Sequence, residues 1–295
     1  MKRIAHLLLF VLLCGGVALG QPDPLVEALR KYQGGVLTEA KTLVDEAVLM
    51  PQHALNAEAW LLRGFIYKDA YKVSGVVTTG DSLRIEALAS LQRCITLDTG
   101  DTYRENARQA LEFLARSYYN DAAKALAEMD EERARLVFSR YTEAVRQMDP
   151  GADLRAREVE FTNALGTVYT KRFNGNRTDT VPFGKAVMAY EHVLAIDPEN
   201  YGANYNLATL FYNRGVYKIQ RINADDEIPT IMQIQEASRV YFQQALPYML
   251  KAHDMNPARR ETLLGLEGIY YSLQDQESSD KFRQLFEEIP TDEHR

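Results

Sequence analysis

Cysteine is nearly absent from this chain, with two in 295 residues, Cys14 and Cys94, and that excludes a fold stapled by disulfides. Histidine is sparse too: five occur, scattered singly, with no pair at the helical spacing of a zinc site and no glycine-rich phosphate loop elsewhere. No metal and no cofactor is expected. Positive charge is in deficit, with 34 basic against 41 acidic residues and no long basic block, which argues against nucleic acid and anionic membrane surfaces as partners. Beyond the first twenty residues no apolar run approaches the roughly 20 residues of a membrane-spanning helix, so no membrane insertion is expected once that segment is removed.

The first twenty residues differ from the rest. Lys2 and Arg3 precede an apolar stretch from Ile4 to Leu13, followed by Gly15, Gly16 and Ala18-Leu19-Gly20, the layout of a secretory signal peptide. Cleavage is expected after Gly20, leaving Gln21 as the first residue. Lipidation at Cys14 would need small side chains before it, where Leu12 and Leu13 stand. Removal takes Lys2 and Arg3 and no acidic residue, moving the net charge from −7 to −9. It also leaves Cys94 alone, so the mature chain has no internal disulfide.

What the chain does have, from Pro24 onward, is helical periodicity, with apolar residues three and four apart and no alternating strand of useful length. A run of small and aromatic residues ending in proline recurs. It is clearest at Ala186, Tyr190, Val193, Pro198 and at Ala245, Met249, Ala252, Pro257, with identical spacing. Looser copies are Ala40, Val44, Ala47, Pro51; Ala87, Leu91, Cys94, Asp98; Val137, Tyr141, Ala144, Pro150; and Ser278, Phe282, Leu285, Pro290. A second series precedes them: Trp60, Gly64, Tyr67; Leu111, Ala115, Tyr118; Leu165, Gly166, Tyr169; Leu207, Ala208, Phe211. Self-similarity of this kind means stacked helical hairpins, each unable to bury its apolar face alone.

These two series resemble the first and second helices of tetratricopeptide repeats over about residues 21–290. The resemblance implies an all-α, right-handed α-solenoid of about six hairpins, with residues 1–20 as signal peptide and 291–295 as a tail. The layout, with the late Ala245-Leu246-Pro247-Tyr248 stretch, is also similar to exported repeat proteins of Bacteroidetes-like bacteria. One departure is clear. Successive units measure 48, 51, 48 and 59 residues from Pro51 through Thr99, Pro150 and Pro198 to Pro257, where the family uses about 34. The excess falls inside the hairpins, at 68–83, 171–184 and 216–240, which are expected along one rim. Gly75, Thr78, Thr79 and Gly80 make the first loop-like, as Asn174, Gly175, Asn176 and Pro182 make the second. The third, around Pro229, reads as two helical extensions, and Pro247 should kink or restart the helix beyond it.

No catalytic constellation stands out. His192 and His253 lack an adjacent nucleophile. Asp98-Thr99-Gly100 matches the aspartic-protease tripeptide in a setting that reads as a helix boundary. Asn176-Arg177-Thr178 fits a glycosylation acceptor, and Asp225, Asp226 and Glu227 read as a solvated turn rather than a calcium loop. In the family the groove is lined by first-helix residues opposite the core series. The resemblance places Glu112, Arg116, Tyr119 and Asn120 there, then Asn163, Thr167 and Lys171, then Tyr205, Thr209, Tyr212 and Asn213. Tyrosines with amide neighbours suit a peptide partner. The carboxylate clamp of chaperone-binding members is not matched: only Asn163 and Asn206 fit it, and Glu261 and Gly265 stand at the basic places. The expectation is a non-catalytic, exported protein-binding scaffold or adaptor of the periplasm or cell envelope, using the groove or the insertion edge. A glycan-binding envelope protein is the alternative.

Overall fold

The computed structural model describes residues 22–74 and 77–289, with residues 77–79 described by backbone alone. The signal-peptide segment, Gly75 and Pro290 therefore lie outside the described residues. Among those described there are twelve helices and no strand. They form two compact units divided within the fifth helix, one running to Leu114 and the other from Ala115. The first unit holds Pro24–Gln33 (α1), Leu37–Leu49 (α2), Ala57–Val73 (α3) and Val77–Leu97 (α4), and Arg104–Ala127 (α5) spans the division. The second continues with Glu131–Met148 (α6), Arg155–Gly175 (α7), Val181–Ile196 (α8) and Tyr201–Ile219 (α9). It closes with Ile228–Met255 (α10), Arg260–Ser272 (α11) and Gln276–Glu288 (α12).

Local chemistry starts these helices where the sequence changes character. Asp23, Asn56, Asp130, Asn200 and Asp275 each accept a backbone N–H of the first turn, satisfying donors that have no partner inside the helix. Pro24 follows Asp23 at the first helical position, where its missing N–H costs nothing. The turn after α1 uses Gly35 at φ 76°, a conformation open to glycine. Asp98 shows the same logic. Its carboxylate accepts from the backbone N–H groups of Thr102, Tyr103 and Arg104 at 3.1, 2.7 and 2.9 Å. The protease-like tripeptide is thus the cap of α5. Burial works against the charge of Asp98, but these donors outweigh it and hold the carboxyl below its ordinary range.

Helices pair in sequence order, α1 with α2, α3 with α4, α7 with α8, α9 with α10 and α11 with α12, and neighbouring pairs touch through α2 and α3, α8 and α9, and α10 and α11. In the second unit α6 packs on both neighbours, through Tyr119 against Tyr141 and Phe138 stacked on Phe161. The core is the recurring series: Ala87, Leu91 and Cys94, Ala186, Tyr190 and Val193, and Ala245, Met249 and Ala252 are all buried. In three pairs a large side chain of the second helix lies over a glycine of the first: Leu91 over Gly64, Tyr190 over Gly166 and Phe242 over Gly215. A Cβ at these glycines would stand 2.6, 2.6 and 2.5 Å from that side chain. Met249 instead covers Gly265 of the following helix. Three positions differ from the series, Leu285 among them, which is half-buried. Tyr141 is half-buried in an aromatic cluster, and in α12 the buried small residue is Ser279 rather than Ser278, its hydroxyl bonded to the Glu267 carbonyl.

The extra length of the hairpins is helix rather than loop. α3 continues to Val73 and α4 already begins at Val77, so the stretch expected as a loop is mostly helical. Tertiary contacts override its poor local propensity: Gly80 packs near the Tyr71 ring, and buried Arg84 stacks on that ring and pairs with Asp81. Between α7 and α8 the connection narrows to 176–180, with Pro182 inside the first turn of α8. The third insertion extends α9 and α10 around the turn 220–227, where Asp226 accepts from the Asn223 backbone. α10 runs through Pro247 without restarting.

Gly166→Ala is expected to destabilise the chain, since overpacking by about 1–3 kcal/mol exceeds the roughly 1 kcal/mol of helix propensity regained. Gly265→Ala should stay within about 1 kcal/mol of wild type, because the methyl end of Met249 yields where a tyrosine ring cannot. Thermal denaturation of both variants checks the contrast. Asp98→Ala should lower the melting temperature at pH 7. The depressed carboxyl contributes above its unfolded pKa and loses that contribution as pH falls, so melts at stepwise lower pH should show the deficit shrinking through the acid range.

Candidate functional site

The first-helix face of α5 and α7 contains a trough. On α5, Tyr119, Ala123, Leu126 and Ala127 share one face, and on α7 Glu160, Ala164, Thr167, Val168 and Lys171 do the same, as their spacing of three and four dictates. Alanines at 123, 127 and 164 leave a cavity of about 340 Å³, floored by Phe161. The two ends carry opposite charge. Glu160 lies at one, Lys171 eleven residues along the same helix at the other, about 16 Å away at 1.5 Å per residue.

The acidic end is built as a network. Arg157 Nη1 donates to Glu160 Oε2 at 2.8 Å, and its guanidinium lies 5.0 Å from the Tyr119 ring centre. The Tyr119 hydroxyl bonds to Glu160, which holds that carboxyl below its usual range with further help from Arg157. Burial first, and then the carboxylate, push the Tyr119 hydroxyl up to about 12. At neutral pH it is neutral and faces the Glu160 carboxylate. Its ring packs on Tyr141 at 5.1 Å and Phe138 at 6.3 Å, so the trough wall is rigid. Lys171 is exposed and makes no ion pair among the described residues.

Of the residues expected from sequence, Tyr119, Thr167 and Lys171 come together in this trough. Arg116 and Asn120 are exposed on α5 beside it. Asn163 is turned to packing, its Nδ2 donating to Oδ1 of Asn200, the cap of α9, at 3.0 Å. On α9, Thr209 and Asn213 are half-buried and do not line the trough. Tyr205 lies parallel to Tyr201 at 6.0 Å, and Arg259 covers the Tyr201 ring at 5.3 Å. Tyr212 serves the fold: its ring packs on Phe242 at 5.7 Å and its hydroxyl reaches the space beside Gly268. Sequence reasoning missed Glu160, Ala123 and Ala164. Glu160 follows from Thr167 by stepping back seven residues, whereas the alanines carry no chemical signal of their own.

Other chemistry-bearing side chains are paired or buried. His192 Nε2 lies 2.7 Å from Glu158, and the His253 ring packs edge-on against Phe282. Cys94 is buried with its thiol pushed up to about 11 by desolvation and then by Asp98. Among the described residues no three His, Cys, Asp or Glu side chains converge as metal ligands, and no helix is long and apolar enough to cross a membrane.

No protein-family model and no curated protein sequence matches the chain. Among solved structures it is similar to a monomeric mutant of IFIT1 with Gppp-AAAA, at 14% identity and a TM-score of 0.41, over 90% of this chain and 59% of that one. A second IFIT1 monomeric mutant, with m7Gppp-AAAA in the anti conformation of the cap, matches at 15% identity and a TM-score of 0.40 over the same shares. The chain thus spans less than two thirds of the length of these structures.

Tyr212→Ala is expected to destabilise the fold by about 1–3 kcal/mol, somewhat less than truncating a fully buried aromatic. Tyr205→Ala should cost less than half of that. Chemical denaturation of the two variants side by side tests the assignment of Tyr212 to packing.

Proposed function

We propose that this chain is a non-catalytic protein-binding scaffold or adaptor, exported through its amino-terminal segment to the periplasm or envelope of a Bacteroidetes-like bacterium. The observation that carries the binding reading is the trough of α5 and α7: apolar along its length, acidic at one end, basic at the other, with walls fixed by aromatic packing. An elongated apolar slot with oppositely charged ends suits a peptide segment of a protein partner, whose side chains fill the slot and whose polar groups meet Glu160 and Lys171. Rigid helices lower the ordering penalty on docking. The non-catalytic reading is supported by the desolvated thiol of Cys94, which leaves it no activated nucleophile. The parallel Tyr201 and Tyr205 rings are the feature nearest to a sugar platform, but Arg259 already occupies a ring face of that pair.

The test is crosslinked capture from envelope extract with residues 21–295 as bait, beside Ala164→Trp, which fills the trough from an exposed position, and Lys171→Glu. A partner identified by mass spectrometry with wild type and reduced tenfold or more by both folded variants is the expected result. Equal capture by all three would remove the trough as the working surface. Binding to a glycan array in place of protein capture would overturn the protein-partner reading.

A further inference from the structure

The opposite side of α7 carries a second, larger groove, of about 880 Å³, walled by α6 and α8. Along α6 it runs from Glu131 to Arg146, fifteen residues or about 22 Å, and along α8 from Lys185 to His192. Its floor is apolar: Phe161 and Leu165 are buried, and Phe138 is stacked on Phe161 with ring centres 4.0 Å apart. Met188, 70% exposed, stands on the rim.

The charge of this groove runs against that of the chain. Arg135, Arg172 and Lys185 all converge on the single carboxylate of Glu131, at 3.3, 3.5 and 3.1 Å. Of these three cations Arg135 and Lys185 line the groove, and Arg172 reaches Glu131 from outside it. Arg146, exposed at the far end, has no ion pair among the described residues, and Glu158 is taken by His192. Three cations, Arg135, Arg146 and Lys185, thus line the groove against two carboxylates, Glu131 and Glu158, a small positive excess in a protein whose net charge is −7.

We propose that this groove binds an acidic amphipathic helix of a partner protein, its apolar stripe on Phe138, Phe161 and Leu165 and its carboxylates toward Arg135, Lys185 and Arg146. A helix is the form that fits. The walls and floor are themselves helices, with their backbone groups bonded internally, so they offer no open edge to the unpaired N–H and C=O groups of an extended strand. A volume of about 880 Å³ spread over about 22 Å leaves a cross-section near 40 Å², enough for a row of side chains sunk from a helix lying above. Nucleic acid fits less well. Phe138 and Phe161 stack on one another rather than presenting free faces to bases, and Glu131 and Glu158 stand in the path of a phosphate chain. This surface shares Phe161 with the trough and otherwise uses other side chains, and the two proposals are tested by different variants.

The test is fluorescence anisotropy on the whole protein, with a labelled helical peptide of about 15 residues, four turns long. It carries Leu and Phe at positions i, i+3, i+4 and i+7 and Glu on the flanks. Three controls accompany it: the same peptide with Lys for Glu, a scramble that breaks the stripe, and an oligoadenylate RNA of ten nucleotides. The acidic peptide is expected to bind, to weaken as salt rises, and to exceed the Lys and scrambled peptides at least tenfold. The double variant Arg146→Glu, Met188→Ser alters two exposed side chains that make no ion pair or ring contact among the described residues and should weaken binding tenfold or more, while Ala164→Trp leaves it unchanged. Absence of binding at millimolar protein, equal binding by the Lys peptide, tighter binding by the RNA, or indifference to the double variant would each overturn the proposal.

Discussion

Two helices of a hairpin pack most closely where one of them gives up its side chain. Here the first helix does so, at Gly64, Gly166 and Gly215, and the second fills the gap with Leu91, Tyr190 and Phe242. The contact fixes both the separation and the rotation of the pair, because the large side chain has one place to go. Rotation then decides everything outward. With Gly166 turned to α8, Glu160, Ala164 and Lys171 must point to the opposite face of α7, where they meet α5. The hydroxyl of Tyr190 finishes the lock, lying 3.3 Å from Thr170 and 3.5 Å from Thr167.

α7 accordingly serves two surfaces at once. Its buried residues Leu165 and Tyr169 face the α6 and α8 side, its exposed Ala164 and Thr167 face α5, and Phe161 contributes to both cavities. Neither surface needs a flexible loop. Each is made of side chains held at fixed rotation on packed helices, and each combines an apolar floor with a small number of charges at its margins. The Tyr169 hydroxyl, donating to Glu131, ties the core of α7 to the charge network on the preceding helix, α6.

The hairpin series was legible because small and large residues alternate at helical spacing, and Leu165, Gly166, Tyr169, Ala186, Tyr190 and Val193 are buried as that spacing implies. The helix boundary at Asp98 was legible from its cap chemistry. Part of the trough was too, since Tyr119, Thr167 and Lys171 follow from the register of the core. The rest depends on partners distant in the chain. Thr78, Thr79 and Gly80 read as loop by composition yet lie in a helix, where Gly80 packs near Tyr71 and Arg84 stacks on the same ring. Asn163 looks free for binding until Asn200, 37 positions away, engages it. The cations around Glu131 come from three helices, with Lys185 54 positions distant, and no local pattern joins them. Tyr212 looked like a groove residue because the sequence does not show that Gly268 makes room for its hydroxyl.

Lengthening these hairpins by helix rather than by loop has an evolutionary corollary. A loop absorbs an inserted residue wherever it falls, whereas one residue added within a helix turns everything beyond it by about 100°. In α10 a single insertion before Phe242 would swing that ring off Gly215 unless a second change restored the phase. Gains and losses of length are therefore tolerated in steps near whole turns, or in the short connections at 176–180 and 220–227. The units of 48 residues exceed the 34-residue repeat by 14, about seven for each helix, which is close to two turns. Such hairpins can grow longer while their faces keep the same aim.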